Sequence, residues 1–316
     1  MGQNSRVKSG ELTRIFVLIA SSDLNEHTLA APAICAGVGV HTGVRVRLSI
    51  RPAASGTGIV FVRTDIKDRD NRIPVSGDAV VKTQLGTVIA NAAGATVSTI
   101  EHLMAALAAL GVDNAVVELD GPEVPIMDGS ALPFVQLLDR AGFRRQEGPQ
   151  RYIEVLEPIL VEDGDKFAAL LPCDRFEVFF EIEFASPVIG RQAVDLVLTE
   201  DSFREELAAA RTFGFAHEVE ALRQMGLARG GSLENAVVID GERILNPEGL
   251  RFVDEFVRHK ALDAIGDLYV LGMPLLARFE GRKAGHAMNN ALVRALLARP
   301  EAWRVRIPAA ELAEAV

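Results

Sequence analysis

Alternating apolar and polar residues mark several strands of this chain. Val44–Arg51 reads V-R-V-R-L-S-I-R, a strict alternation that predicts a half-buried strand. Gly58–Arg63 is predicted to be its partner across a turn at Ala53–Thr57. Further strands are predicted at Asn114–Leu119, Tyr152–Leu156, Lys166–Leu171 and Phe176–Phe184.

Apolar residues at helical spacing separate these strands. In Ser98–Leu110, Leu103 and Leu107 share one face, and Ser98 with Glu101 has the spacing of an N-terminal capping box. Further helices are predicted at Gly129–Ala141, Asp201–Ala210, Leu250–Leu271 and Ala287–Ala298.

Strands precede helices in each half of the chain. This order predicts an α+β protein with two domains, each a two-layer sandwich of mainly antiparallel sheet and two helices. Gly142–Gln150 is polar and contains Gly148-Pro149, so we interpret it as a linker. The predicted domains are residues 28–148 and 151–316, and residues 1–27 are expected to be a flexible extension.

Composition and charge exclude several classes of protein. The 316 residues carry a net charge of -10, which gives no electrostatic footprint for nucleic acid. The two cysteines exclude a disulfide framework and an all-cysteine zinc site. No apolar run has the length of a transmembrane segment. Two free thiols are typical of a protein in a reducing cytosol, so we expect a cytoplasmic protein, and we expect it to be a monomer without a nucleic-acid partner.

Three short histidine-containing segments carry the candidate chemistry. His259, Asp263 and Asp267 are four residues apart, so they share one helix face and can chelate a metal from consecutive turns. Glu101 precedes His102, and His286 follows a glycine ahead of a predicted helix. Taken singly, each segment is better explained as a solvated face, a helix cap or a surface histidine.

Together these segments have the composition of a catalytic metal site. Catalytic zinc sites use three protein ligands and leave one position for water, and two histidines with one aspartate satisfy that requirement. An adjacent carboxylate and a further histidine would supply a base and an acid. Iron tolerates the same ligands, so both metals stay open.

Several motifs in one order make a resemblance specific. From about Thr28 to Trp303, the chain resembles the UDP-3-O-acyl-N-acetylglucosamine deacetylase family, a family of cytoplasmic zinc hydrolases. The motifs are G-V-G-V-H-T-G at Gly37–Gly43, S-T-I-E-H-L at Ser98–Leu103, P-I-M-D-G-S at Pro125–Ser130, R-T-F-G-F at Arg211–Phe215, R-H-K-A-L-D-A-I-G-D at Arg258–Asp267 and G-H-A-M-N-N at Gly285–Asn290.

The resemblance implies a role for each matching residue. Zn²⁺ would be bound by His102, His259 and Asp263, and Glu101 would activate water. The other implied catalytic residues are His286 as the protonated acid, Asp267 as its orienting partner and Thr212 at the oxyanion. Lys260 and Lys283 would meet the phosphates or the sugar. An insert around residues 214–243 would enclose the acyl chain, with Phe213, Phe215, Val219, Gly231 and Ser232 as binding residues.

The implied reaction is hydrolysis of the N-acetyl group of UDP-3-O-(3-hydroxyacyl)-N-acetylglucosamine. It gives acetate and the free amine, and it is the committed step of lipid A biosynthesis. One alternative is a zinc amidase that acts on another acylated amino sugar. The other alternative is a non-catalytic protein that binds the nucleotide lipid.

Overall fold

The computed structural model describes residues 24–308, and the expected extension lies almost entirely outside this range. The helices are α1 (Glu101–Ala109), α2 (Leu132–Ala141), α3 (Ala216–Gln224), α4 (Glu255–Leu268) and α5 (His286–Leu297). Shorter helical turns are Gly77–Ala79, Glu200–Ser202, the π-helical Phe203–Leu207, Tyr269–Leu271 and Pro300–Ala302.

The first half of the described chain contains ten strands. They are β1 (Asn25–Leu29), β2 (Ala33–Val38), β3 (Arg45–Pro52), β4 (Ile59–Arg63), β5 (Arg72–Pro74), β6 (Val80–Lys82), β7 (Val88–Ala90), β8 (Thr96–Val97), β9 (Ala115–Leu119) and β10 (Phe143–Pro149). The main sheet has the order β2-β3-β9-β4-β5. Smaller sheets are formed by β1-β10 and by β6-β7-β8.

The second half contributes the remaining described strands. They are β11 (Tyr152–Val155), β12 (Ile159–Asp163), β13 (Lys166–Pro172), β14 (Phe176–Glu183), β15 (Arg191–Val197), β16 (Phe213–Phe215), β17 (Val237–Asp240), β18 (Arg243–Ile244), β19 (Leu275–Arg282) and β20 (Trp303–Arg306). A seven-stranded sheet has β19 between β13 and β14, and β16-β17-β18 form a separate small sheet.

Helices cover each main sheet and meet between the halves. Helix α2 packs on β2, α4 packs on β14 and β15, and α5 packs on β12 and β13. Helix α1 contacts both α2 and α4, so it joins the two halves. Leu48, Leu103, Phe180 and Val257 are each fully buried in one continuous apolar core. The predicted α+β class with mainly antiparallel sheets is confirmed.

The alternation in β3 is confirmed, since Val46, Leu48 and Ile50 are buried. Its predicted pairing with β4 is wrong, because β9 lies between the two strands and runs parallel to β4. The alternation shows which face is buried, but it carries no information about which strand is the neighbour.

The predicted linker is also wrong. Most of Gly142–Gln150 forms strand β10, which pairs antiparallel with β1. Strand β1 includes Asn25–His27, the last residues of the expected extension. The residues of β10 are exposed or half-buried, so its polar side chains face solvent, whereas Glu26 and Thr28 of β1 are buried. No sheet of the described chain contains strands from both halves. The predicted domain limits, residues 28–148 and 151–316, and the predicted insert stay predictions.

Helix ends differ from the predictions as well. Helix α4 begins at Glu255, later than predicted, and the predicted helix at Asp201–Ala210 is a short turn followed by a π-helical turn. The Ser98–Glu101 capping box is wrong, because Ile100 precedes α1 without a side-chain cap and Glu101 bonds elsewhere. No helix within residues 24–308 is long and apolar enough to cross a membrane.

Candidate metal centre and active site

The candidate site lies where α1 crosses α4. Glu101 and His102 occupy the first turn of α1, and they face consecutive turns of α4. Gly266 permits this crossing, because a β-carbon at that position would lie 1.9 Å from the Glu101 carbonyl oxygen. Any larger residue would force the two helix backbones apart.

Three buried side chains converge at this crossing. The ligand atoms of His102, His259 and Asp263 all lie within 4.8 Å of one another. Asp263 Oδ1 is 3.4 Å from His102 Nε2 and 3.3 Å from His259 Nε2. This oxygen is buried and accepts no hydrogen bond from any residue between 24 and 308. An unsatisfied carboxylate oxygen facing two imidazole nitrogens fits a divalent metal ion.

The environment of His259 favours metal binding. Its Nδ1 lies 3.0 Å from the Ala210 carbonyl oxygen, which directs the other nitrogen toward Asp263. Burial lowers the pKa of His259 to about 3, so the ring is neutral and able to bind a metal. The next residue, Arg211, forms a buried ion pair with Glu255 at 2.8 Å and so fixes the Ala210 segment.

Glu101 is a buried carboxylate beside this group. It is 3% exposed, and its Oε2 accepts a hydrogen bond from the Thr87 main-chain N–H at 3.0 Å. Burial raises the pKa of Glu101, against the lowering effect of nearby His286 and His102. A carboxyl group with a raised pKa is a better proton acceptor than an ordinary surface carboxylate.

His286 and Asp267 form a hydrogen-bonded pair on the same side of the crossing. His286 Nδ1 is 2.8 Å from Asp267 Oδ2, and His286 Nε2 is 3.9 Å from Asp263 Oδ2. Burial alone would lower the pKa of His286, but the charge and hydrogen bond of Asp267 outweigh it and raise the pKa to about 9. The ring is therefore protonated at neutral pH and able to give up a proton.

Asp267 has two further partners that the sequence did not suggest. Thr87 donates its hydroxyl to Asp267 Oδ1 at 2.6 Å, and Asn289 donates to Oδ2 at 2.9 Å. Asn289 belongs to the G-H-A-M-N-N motif, which was the available signal. Thr87 lies 180 positions before Asp267, and the sequence carries no signal for that contact.

The two predicted substrate lysines have different surroundings. Lys260 Nζ lies 2.8 Å from Asp263 Oδ2, so it is part of the buried group. Burial alone would lower the pKa of Lys260, but the neighbouring carboxylates outweigh this effect and raise it. Lys283 makes ion pairs with Asp165 at 2.7 Å and Glu183 at 2.6 Å.

Thr212 and the two phenylalanines lie on one strand edge near His259. Thr212 donates its N–H to the Gly129 carbonyl at 2.8 Å, and its own carbonyl accepts from Val237. The ring of Phe213 lies 6.4 Å from that of His259, and both Phe213 and Phe215 contact the ring of Phe184. Thr212, Phe213 and Phe215 are all half-buried.

The predicted acyl-binding residues lie in a more open part of the molecule. Val219 is half-buried on α3, a helix without a single fully buried residue. Gly231 and the exposed Ser232 follow a segment that contacts the G-V-G-V-H-T-G loop. Gly230 donates there to the Val40 carbonyl at 3.0 Å. Arg229 and Gly230 thus contact the first half of the chain.

This combination of a buried His-His-Asp group, a carboxyl with a raised pKa and a protonated His–Asp pair defines a candidate metal-dependent hydrolase. The comparison with known proteins supports this class. The model of the LpxC family, UDP-3-O-acyl N-acetylglycosamine deacetylase, matches residues 26–298. The chain belongs to this family, and the resemblance inferred from the motifs is confirmed.

Individual relatives support the assignment over nearly their whole length. The UDP-3-O-acyl-N-acetylglucosamine deacetylase of Phenylobacterium zucineum is 72% identical over 291 residues, which are 92% of this chain and 99% of that protein. The protein of the same name from Myxococcus xanthus is 51% identical, with 91% of each chain covered. That of a Shewanella strain is 53% identical, with 85% of this chain and 88% of the relative covered.

Proposed function

We propose that this chain hydrolyses the N-acetyl group of UDP-3-O-(3-hydroxyacyl)-N-acetylglucosamine, the committed step of lipid A biosynthesis. The observation that carries this proposal is the buried group of His102, His259 and Asp263. Glu101 and His286 flank this group, as an amide hydrolase requires. The names of the relatives supply the substrate class, a UDP-3-O-acyl-N-acetylglucosamine.

We propose His102, His259 and Asp263 as the zinc ligands. The unsatisfied Asp263 oxygen and the two facing imidazole nitrogens support this assignment. Zinc, when bound, supplies a Lewis acid for the amide carbonyl and lowers the pKa of a water molecule.

Glu101 is the proposed general base. The reaction requires a group that accepts a proton as water attacks the acetyl carbon. Burial keeps the Glu101 carboxyl poorly solvated and raises its pKa, which suits this task. The hydrogen bond from Thr87 holds one oxygen of the carboxylate and leaves the other free to meet water.

His286 is the proposed general acid. An amine leaves only when its nitrogen is protonated, and the raised pKa keeps a proton on His286 at neutral pH. Asp267 orients the ring by accepting a hydrogen bond from Nδ1, so that Nε2 carries the transferred proton. The Thr212 hydroxyl is the proposed donor to the oxyanion that forms at the acetyl carbon.

Substrate binding is proposed to involve residues of the second half of the chain. Lys260 and Lys283 supply positive charge for the diphosphate or the sugar. The aromatic edge of Phe213 and Phe215, next to the insert, is the proposed start of the acyl passage. The proposed passage continues past Val219, Gly231 and Ser232.

We further propose a cytoplasmic monomer. Cys35 and Cys173 are free thiols, which suits a reducing compartment. A nucleotide-activated sugar is also an intracellular type of substrate. Sedimentation of the purified protein tests the monomer directly.

The decisive experiment is acetate release from UDP-3-O-(3-hydroxyacyl)-N-acetylglucosamine. We expect release by the purified protein, loss of release with a chelator and recovery when zinc is added back. Restoration by iron and not by zinc would contradict the metal assignment. A folded, metal-loaded protein that releases no acetate from this substrate, but does so from another N-acetyl amino sugar, would contradict the proposed substrate.

A further inference from the structure

Thr87 lies between the proposed base and the proposed acid pair. It is 2% exposed and lies in the segment between β6 and β7. Its main-chain N–H donates to Glu101 Oε2 at 3.0 Å, and its hydroxyl donates to Asp267 Oδ1 at 2.6 Å. A single residue thus contacts the carboxylates on both sides of the site.

The segment around Thr87 is itself fixed. The Thr87 carbonyl accepts the Ile100 N–H at 3.4 Å, next to the first turn of α1. Gly86 has φ 153°, and a β-carbon there would lie 3.1 Å from Glu101 Oε1. The Leu85 carbonyl lies 2.8 Å from His41 Nε2. Contacts on both sides therefore hold Thr87 in place.

The Thr87 hydroxyl satisfies a specific need of Asp267. One oxygen of this buried carboxylate faces His286 and Asn289, and the other faces Thr87. A buried carboxylate oxygen without a donor is unfavourable, and the side chain would rotate toward other donors. Rotation of Asp267 would turn the His286 ring, which depends on it for orientation.

We propose that Thr87 is a positioning residue for the deacetylation reaction. It sets the spacing between Glu101 and the Asp267–His286 pair. Glu101 belongs to the first half of the chain and the pair to the second half. Among the contacts of residues 24–308, no hydrogen bond joins Glu101 directly to the pair. Thr87 does not touch the reacting atoms; it acts through the two carboxylates. The inference rests on the proposed function and deepens it.

The test compares Thr87→Val with Thr87→Ser. Valine keeps the shape and the main-chain bond to Glu101 but removes the hydroxyl, whereas serine keeps the hydroxyl. Loss of one charge-assisted hydrogen bond predicts a fall in kcat of about 10- to 100-fold for Thr87→Val. The KM should stay within about twofold, since ground-state binding is unchanged. Thr87→Ser should recover most of the kcat.

Two comparisons separate positioning from mere stability. Thr28→Val removes another buried hydroxyl, which donates to the Asn114 carbonyl at 2.6 Å, and should lower the melting temperature without lowering kcat. In an Asp267→Ala background, the hydroxyl has lost its acceptor, so adding Thr87→Val should change kcat little further. Zinc content, measured in every variant, should stay at the level of the unaltered protein.

Each contrary result has a definite meaning. A Thr87→Val enzyme with normal kcat overturns the proposal, and so does a Thr87→Ser enzyme as slow as Thr87→Val. Full additivity with Asp267→Ala, or a loss of zinc from Thr87→Val, also overturns it. Absence of acetate release by the unaltered protein refutes the proposed function instead, so the two failures are distinguishable.

Discussion

The crossing of α1 and α4 and the insert around residues 214–243 differ sharply in burial. In α4, twelve of the fourteen residues are buried, whereas none of the nine residues of α3 is fully buried. The crossing brings charged groups together in a water-poor environment, where their pKa values shift strongly. Helix α3, in the predicted insert, presents an exposed to half-buried surface instead. From this contrast we propose that the reaction depends on the residues at the crossing. The predicted insert would determine which acyl-chain length the protein prefers.

Removal of a proposed metal ligand should have the largest effect. We expect His259→Ala to lose both bound zinc and all measurable acetate release, because two ligands hold the ion poorly. His217→Ala, which removes an exposed histidine of α3, is the matched control and should keep both. Metal analysis checks this prediction, and full zinc occupancy in His259→Ala would contradict the ligand assignment.

Glu101→Gln should separate base chemistry from metal binding. The amide keeps an oxygen for the Thr87 N–H but cannot accept the proton of water, so kcat should fall about 10²- to 10⁴-fold. Zinc content should be unchanged. The exposed Glu220→Gln on α3 is the control with normal turnover. Near-normal turnover by Glu101→Gln would remove this residue from the mechanism.

Asp267→Asn should change the pH dependence. His286 acts as an acid only while protonated, so kcat/KM should fall as the pH rises through its pKa of about 9. The Asp267 charge raises this pKa; its removal therefore moves the alkaline limb to lower pH. Bound zinc is positive, so it shifts the alkaline limb in the same direction in the unaltered protein and in Asp267→Asn. Asp139→Asn, an exposed carboxylate paired with Arg204, should leave the limb in place. An unchanged limb in Asp267→Asn would contradict the pairing.

Val219→Ser should have the smallest effect and should act on the insert alone. Loss of about 1 kcal/mol of apolar contact predicts a KM about fivefold higher for a long-acyl substrate, with kcat unchanged. A short-acyl substrate should show little difference. Val253→Ser, at a position that is 95% exposed, is the control. A fall in kcat with both substrates would place Val219 in the chemistry and end the proposed division of roles.

The sequence predicted the local features well where a periodic pattern carried them. The alternation in Val44–Arg51 and the spacing of His259, Asp263 and Asp267 depend on residues close in the chain, and the structure confirms both. The same spacing did not predict whether those three side chains were exposed to solvent or buried. The structure buries all three, because α1 covers that face of α4.

Long-range pairing was the feature that sequence patterns missed. Strand β9 enters between β3 and β4 from more than fifty residues away, and the polar segment 143–149 became a strand through its pairing with β1. Glu101 matched a capping box by spacing, yet it bonds to Thr87. In each case a distant partner competed successfully with the local choice.

By itself, the sequence determined the family, the residue types for metal binding and acid–base chemistry, and their placement on helices, because motifs and periodicity are local properties of the chain. Tertiary structure alone decided that His102 meets His259 and Asp263, that Gly266 lets the helices approach, and that Thr87 joins the two carboxylates. The physical reason is that burial and packing between distant segments set these distances and shift the pKa values, and neither is encoded in the spacing of residues along the chain.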